Sequence, residues 1–468
     1  MYASNMASER KKKFTLIGIY LGVIAMVLSY SGFSTLLPVA ARDIGGVAVY
    51  PLSTSFTGLS NIVIMPLYGF LASRNPSIKS RLYCLSMYMG ILSLLCYAFA
   101  PNIWVIIIPS LFYGFVSPGI FVISYTLIRE MYDAKQAGLY LGVSGTMMSV
   151  GILLGPVVSG LLIDTLGWRS VPHASWPLML IAAILVNCGY RMSESEISAS
   201  NAQKARFDYS GCVSLTLFLG PLTFALTMGS TYLPFGSIQS ICVYALSAFG
   251  LTALIILIRK KGGAAIIPAT VMKDHNVLCL AICNLMFNFS NMAIYFFMPA
   301  YVLYVIGGSA TQASLTTTAL GVCGLFLGPF LGRAIAKAGN ARNTIIVGTI
   351  LRIAVTGTLL TILTPDVPLW LIYALMLIGG IYNSQSAVTF ASAPQIQIKQ
   401  ELRVLGNSVI HVMQSLGANV GSAVYTLVIG FYGVAYGMKV ALVIALATAV
   451  IGLLASLPLK KLLTIGDT

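Results

Sequence analysis

Two ionisable side chains lie inside long apolar segments, where a charge is costly, and are the first candidates for chemistry. Arg352 lies near the middle of the segment 343–363. An arginine stays protonated, so it could hold an anionic group or a carbonyl but could not release a proton. His411 lies in the segment 405–431 and has a side chain that titrates near neutral pH, which makes it the candidate for proton coupling. Packing roles are the alternative for both residues.

A row of amide side chains in the segment 275–305 is the third candidate. Asn284, Asn288 and Asn291 recur at helical spacing, and Tyr295 continues the same face. Lipid would penalise this polar stripe, so we expect it to face the protein interior or a water-filled path. Hydrogen bonding between helices is the alternative explanation. Together with residues of other segments, the stripe forms the predicted substrate-binding set: Asn284, Asn288, Asn291, Tyr295, Arg352, Asn383 and Tyr30.

The acidic residues all lie away from the centres of the apolar segments. All twelve fall in loops, in tails or at segment ends. An intramembrane carboxylate is a common carrier of protons and cations, so its absence favours neutral or anionic substrates over lipophilic cations. The sequence contains no phosphate-binding loop, no metal-ligand spacing and no catalytic triad. It therefore predicts a protein that is not an enzyme and has no cofactor and no metal, and in which any pumping uses a gradient or a separate subunit.

The composition shows which solvent surrounds these residues. Hydrophobic residues make up 58% of the 468 positions and charged residues only 8%, whereas soluble proteins carry about 25% charged residues. A helix needs about 20 apolar residues to cross a bilayer. Fourteen segments satisfy this requirement, near 14–38, 47–72, 82–100, 102–128, 137–163, 174–191, 210–229, 236–258, 275–305, 310–332, 343–363, 367–393, 405–431 and 437–459.

The distribution of the cations explains the net charge of +15 without a nucleic acid. With fourteen spans and a cytoplasmic N-terminus, most of the 27 Lys and Arg residues fall in cytoplasmic loops and tails, as the positive-inside rule requires. The clusters at 10–13 and 259–261 are examples. The pattern predicts a multi-pass protein of the plasma membrane with both termini in the cytoplasm and the lipid bilayer as its surroundings.

Two polar linkers divide the predicted spans into groups of six, two and six. The division predicts an N-terminal six-helix bundle over 1–191, linkers and an inserted helix pair over 192–274, and a C-terminal six-helix bundle over 275–468. Internal repeats of this kind are typical of transporters. Both the second and the tenth span end on a P-x-x-G-x-x-x-small-cation pattern, which supports the repeat and includes Gly69, Arg74, Gly332 and Lys337.

The fifth span contains the most distinctive ten residues of the chain, GILLGPVVSG at 151–160. Glycine and proline are unfavourable inside a helix, by about 1 and 3 kcal/mol. In a bilayer, small residues four apart allow two helices to approach closely. The added proline favours a helix that also bends, so we predict a hinge at Gly151, Gly155, Pro156 and Gly160.

These motifs resemble those of the fourteen-helix drug:proton antiporter branch of the major facilitator superfamily. The residues at 151–160 are similar to the antiporter motif of its fifth helix, and Leu166-Gly167-Trp168-Arg169 resembles the residues that follow it. Asp43-Ile44-Gly45-Gly46 resembles the end of its first helix, and Phe207-Asp208 the start of its inserted pair. The chain departs from the family pattern at Ser29, Ser73 and Ser110, where charged residues linked to coupling and gating are usual.

The resemblance implies two six-helix bundles with an inserted hairpin, and secondary active transport by alternating access that a proton gradient drives. It also implies a pair of gating loops at Gly69, Arg74, Gly332 and Lys337. We therefore predict proton-coupled efflux of amphipathic drugs or related small molecules by a monomer, with the substrate at mid-membrane. An uptake or uniport carrier for a carboxylated metabolite, with Arg352 as the anion site, is one alternative. A membrane receptor or scaffold that transports nothing is another.

Overall fold

Helices form nearly all of the structure, which is a computed structural model. It describes residues 2–74, 78–132, 134–190, 208–229, 232–262, 269–338, 341–399 and 402–460. Within these residues no strand occurs. A helix satisfies its backbone hydrogen bonds within one segment, which a lipid environment demands. The predicted linkers overlap 191–207 and 263–268, which lie outside the described residues.

Six helical stretches precede the first linker. The fourth is irregular, because Pro109 and Pro118 interrupt its hydrogen bonds and a π-helical turn, Gly119–Ser124, follows. The stretches are α1 Tyr2–Ile44, α2 Leu52–Arg74, α3 Lys79–Ala98, α4 Trp104–Met131, α5 Ala134–Leu166 and α6 Ser170–Gly189.

Seven further stretches follow. The last helix is interrupted once, at Gly433, whose φ of 74° and ψ of 167° only glycine adopts readily. The stretches are α7 Tyr209–Met228, α8 Ile238–Lys261, α9 His275–Ile306, α10 Ala310–Ala338, α11 Arg342–Ile362, α12 Leu369–Gln397 and α13 Arg403–Ser456.

Eleven stretches of the described residues are long and apolar enough to cross a membrane. One of them, Val409–Ser456, is 48 residues long and contains the break at Gly433. On α8, Phe249 is 65% exposed and Ile241 57% exposed. Apolar side chains exposed on this scale face lipid rather than water, since water would penalise them. The chain is therefore an all-helical, multi-pass membrane protein.

The described residues divide into two compact units. The first comprises those of Met1–Gly46 and Phe56–Tyr209, and the second those of Val47–Ser55 and Ser210–Thr468. The helix pair α7 and α8 belongs to the second unit, where Ser247 on α8 donates a hydrogen bond to the Phe218 carbonyl on α7 at 2.8 Å. A Cβ on Gly250 would lie 2.5 Å from the same α7 backbone, so the pair is closely packed.

Candidate functional site

The glycines of α5 form its contact with α1 in the first unit. A Cβ on Gly151 would lie 2.9 Å from Val27, and a Cβ on Gly155 would overlap the Ser31 hydroxyl and approach the Leu28 carbonyl oxygen at 3.2 Å. The Ser31 hydroxyl donates to the Val27 carbonyl at 2.6 Å and lies 3.4 Å from the Gly151 carbonyl. Only glycine permits this approach of the two backbones.

A glycine of α1, Gly32, allows the same close approach from the other side of the contact. A Cβ on Gly32 would overlap the hydroxyl of Ser159, one turn beyond Gly155. Helix α5 remains α-helical through Pro156, and Gly160 is buried with it. The predicted motif is therefore a close helix contact, and its use as a hinge stays a prediction.

The asparagine stripe of α9 faces α13 in the second unit. Asn284 is buried and donates its amide to the Ile410 carbonyl at 3.0 Å. Asn288 is half-buried and donates to the carbonyl and side-chain oxygens of Asn284, at 2.9 and 2.8 Å. Glycines bring the helices together here too, because a Cβ on Gly421 would lie 2.8 Å from the Phe289 carbonyl oxygen. Asn284 thus binds helix to helix, and Asn288 extends from it.

The remaining polar residues of this predicted set differ in burial. The side-chain oxygen of Asn291 is buried and has no hydrogen-bond partner in the described structure. Tyr295, at the end of the regular part of α9, and Asn383 on α12 are both half-buried. The structure therefore keeps Asn284, Asn288 and Asn291 on one helix, and only Asn284 donates a bond to a neighbouring helix.

Arg352 lies on α11, and its side chain contacts α9 within the second unit. Its side chain is 1% exposed, donates to the Phe287 carbonyl on α9 at 3.1 Å and stacks on the Phe287 ring at 4.7 Å. Cys283, Gln385 and Ser386 line the small space beside it. Arg352 and the asparagine stripe thus contact different neighbours rather than one shared surface.

His411 and Tyr30 are both exposed, although they lie within membrane helices. His411 on α13 is hydrogen-bonded through Nδ1 to the Gln414 side-chain oxygen at 3.1 Å. Tyr30 on α1 is 46% exposed, and its ring lies 6.4 Å from that of Phe33. The Phe33 ring in turn lies 4.9 Å from that of Tyr113. Tyr30 is therefore the exposed member of an otherwise buried aromatic cluster in the first unit.

The predicted gating residues lie near the ends of α2 and α10. Gly69 and Arg74 belong to Leu52–Arg74, and Gly332 and Lys337 to Ala310–Ala338. A Cβ on Gly69 would meet only Val122, at 4.0 Å. The side chains of Arg74 and Lys337 lie outside the described residues, so their gating role stays a prediction.

The end of α1 contacts the residues that follow α5, an interaction that the sequence did not predict. Asp43 at the end of α1 accepts hydrogen bonds from the Trp168 indole at 2.9 Å and the Arg169 guanidinium at 3.2 Å. Arg169 also donates to the Ala100 carbonyl at 3.1 Å and stacks on Trp168 at 4.2 Å. The contact ties together the ends of α1, α3 and α5. Its signal in the sequence was that both motifs follow spans on the same side of the membrane.

The bonds to Trp168, and then to Arg169, lower the pKa of the Asp43 carboxyl. A carboxyl with a lowered pKa stabilises the fold above its unfolded pKa, near 4, and that contribution is lost as the pH falls through its folded pKa. We therefore expect Asp43→Asn to lower Tm at neutral pH and the difference from wild type to shrink as the pH falls below about 4. The pair is exposed, so the effect is about 1 kcal/mol or less. Thermal unfolding from pH 3 to 7 measures it.

The matched control is Asp366→Asn, which changes an exposed loop carboxyl in the second unit. This variant should follow the wild-type Tm across the range. A deficit in Asp43→Asn that persists unchanged at pH 3 would contradict the electrostatic role of the contact.

Each unit also has a polar cluster at one end. In the first, buried Lys79 is paired with Glu130, whose second oxygen accepts from Tyr190 at 2.9 Å. In the second, the Asn276 amide donates to the carbonyls of Gln397 and Lys460 at 2.9 and 3.0 Å, and its oxygen accepts from the Lys460 backbone N–H. These bonds fix the ends of helices that are distant in sequence.

An all-helical, multi-pass chain with two compact units and polar side chains buried in its helix contacts has the architecture of a membrane transporter. The sequence model of the Major Facilitator Superfamily matches residues 19–270 and 280–463, which is most of the chain. The protein therefore belongs to this family of transporters.

Among curated proteins, the chain is similar to Multidrug resistance protein 3 of Bacillus subtilis (strain 168). The two are 22% identical over 419 residues, which cover 90% of this chain and 80% of that protein. Multidrug efflux pump SdrM of Staphylococcus aureus (strain N315) is 23% identical over 432 residues, covering 90% and 92%. These two relatives are named for multidrug resistance and for multidrug efflux.

Solved structures share the fold at lower identity. A POT family transporter crystallised with a thioalcohol-conjugated peptide matches with a TM-score of 0.68 at 13% identity, over 95% of this chain and 96% of that one. A D-xylose–proton symporter matches with a TM-score of 0.63 at 13% identity, over 96% and 97%. These similarities establish the transporter fold alone.

Proposed function

We propose that the protein is a proton-coupled exporter of amphipathic organic molecules that works by alternating access in the plasma membrane. The observation that carries the proposal is the close contact of α1 with Gly151 and Gly155, which resemble the antiporter motif of the family. The multidrug efflux names of its relatives support the direction of transport.

The proposal includes fourteen spans with both termini in the cytoplasm. The eleven candidate stretches support this count, because Gly433 divides the longest of them into two. Helices α5 and α10, which are 33 and 29 residues long, supply the other two. An even number of spans agrees with the distribution of Lys and Arg, which favours one side for both termini.

The substrate, in this proposal, uses the asparagine stripe. Asn288 is half-buried, and both bonds that its amide nitrogen donates go to Asn284 on its own helix, so its side-chain oxygen can serve a ligand. Asn291 adds an acceptor without a partner in the described structure. Amides suit neutral polar groups on an otherwise apolar molecule.

Transport by the purified protein in liposomes tests the function. We expect an imposed pH gradient to drive uptake of an amphipathic dye into vesicles in which the cytoplasmic face points outwards, and a protonophore to abolish it. Flux of a carboxylated metabolite that is indifferent to the pH gradient would instead support the uptake or uniport carrier. Absence of any flux would favour the receptor or scaffold.

We expect His411→Ala to reduce pH-driven accumulation to the level of passive equilibration, while exchange of the dye across the membrane continues. The reason is that His411 is exposed, bonded only through Nδ1 in the described contacts, and able to carry a proton near neutral pH. Dye accumulation with and without an imposed gradient measures this separation.

The control is His173→Ala, since His173 accepts a bond from Trp176 at the start of α6, outside the apolar core of the span. That variant should accumulate dye as wild type does. If His411→Ala retains full gradient-driven accumulation, the coupling assignment is wrong.

A further inference from the structure

The charge of Arg352 is buried without a carboxylate. In the part of the chain that the structure describes, the ion pairs join Lys12 to Glu9, Lys79 to Glu130 and Arg169 to Asp43, and none includes Arg352. An unpaired cation in an apolar interior is strongly unfavourable. One carbonyl and one aromatic ring provide only part of the solvation that a guanidinium has in water.

The hydrogen-bond donors of the guanidinium are also incompletely used. It has five N–H groups. Nη1 donates to the Phe287 carbonyl, whereas Nε is buried with no partner in the described structure. A buried donor left unpaired is unfavourable. The site therefore lacks a negative charge, and Nε lacks an acceptor in the described structure.

A small cavity adjoins the guanidinium. It has a volume of about 10 Å³ and polar walls formed by Arg352, Thr349, Gln385 and Ser386, all at least nine-tenths buried. This volume holds one water-sized occupant. It excludes an amphipathic drug or a metabolite carboxylate, and among anions a monatomic halide comes nearest to this size.

We propose that this cavity binds a single halide ion, which is the counter-charge of Arg352. Chloride is the natural candidate, because it supplies the negative charge and accepts from the free N–H groups. The ion is a resident of the second unit rather than a transported substrate, so the proposal does not depend on the direction of transport. Binding to the folded state alone raises stability by mass action.

Thermal unfolding of the detergent-solubilised protein tests this proposal. Chloride is titrated against gluconate at constant ionic strength, with bromide in a parallel series. We expect wild type to show a saturable rise in Tm of roughly 2–4 °C. Arg352→Met, which removes the charge, should show none.

Gly452→Ala provides a second variant in case Arg352→Met does not fold. Gly452 lines the cavity, and a Cβ there would lie 3.8 Å from Nη2 of Arg352 and 3.3 Å from the Met286 Cβ. The alanine methyl group would fill the space of the ion while the arginine remains, so the halide response should disappear. Gly357→Ala is the matched control, because its Cβ would meet Leu446 at an ordinary 3.9 Å.

The control variant should keep the wild-type halide response. A wild-type Tm that does not change with halide would overturn the proposal and assign the cavity to water. An equal response in wild type, Arg352→Met and Gly452→Ala would overturn it as well, since the effect would then be a general one of the salt.

Discussion

Gly155→Leu should abolish transport and lower the thermal stability of the protein. Even one methyl group at this position overlaps the Ser31 hydroxyl and approaches the Leu28 backbone at 3.2 Å. Backbone atoms of a helix cannot move away singly, so a leucine must push α5 from α1. Overpacking of this kind costs about 1–3 kcal/mol, occasionally more. Efflux in liposomes and Tm in detergent measure the two losses.

A compensating change distinguishes the contact from a general intolerance of α5. Gly155→Ala alone should reduce Tm, and adding Ser31→Ala should restore much of it, because the serine oxygen is the nearest atom to the new methyl group. Gly69→Ala is the control, since its Cβ would meet only Val122, at 4.0 Å. Equal losses in Gly155→Ala and Gly69→Ala would contradict the close contact.

Asn288→Leu should reduce efflux by roughly 10- to 100-fold with little change in Tm. The estimate corresponds to a substrate group that loses its hydrogen-bond partner in a buried site, about 1–3 kcal/mol. The fold tolerates the change because Asn288 donates only within α9, to Asn284. Initial rates of dye efflux, corrected for the amount of reconstituted protein, measure it.

Asn284→Leu is the informative comparison, since it removes the bond to the Ile410 carbonyl on α13 and should lower Tm as well as transport. Asn288→Gln keeps an amide and should retain part of the activity. Unchanged efflux in Asn288→Leu would remove this face of α9 from the substrate site.

Hydropathy alone predicted the helices, because a bilayer permits little else. Apolar length located α2, α3, α6, α7 and α8 to within a few residues. Interruptions within a span were harder. The π-helical turns of α4 and α9 depend on how freed backbone groups find partners in the tertiary structure. The break at Gly433, by contrast, lies in the gap between the predicted segments 405–431 and 437–459, so apolar length did locate it.

The candidate site was predicted by residue type and less well by neighbourhood. Periodicity placed Asn284 and Asn288 on one face of α9, as the structure has them. The predicted substrate-binding set also included Arg352, which the structure places against the Phe287 carbonyl and ring of α9. Which helix packs on which face depends on contacts far apart in sequence. The bond from Trp168 to Asp43 spans 125 residues and has no local signal.

The Asn276 cluster has a consequence for how the protein is made. Asn276 opens α9, yet two of its bonds go to Lys460, 184 residues later. During synthesis α9 enters the membrane long before Lys460 leaves the ribosome. The start of α9 therefore lacks these hydrogen bonds until Lys460 has been translated. The Lys79–Glu130 pair of the first unit closes after only 51 residues. We therefore expect a ribosome stalled before Lys460 to leave the start of α9 without these bonds, whereas the Lys79–Glu130 pair of the first unit can already have formed.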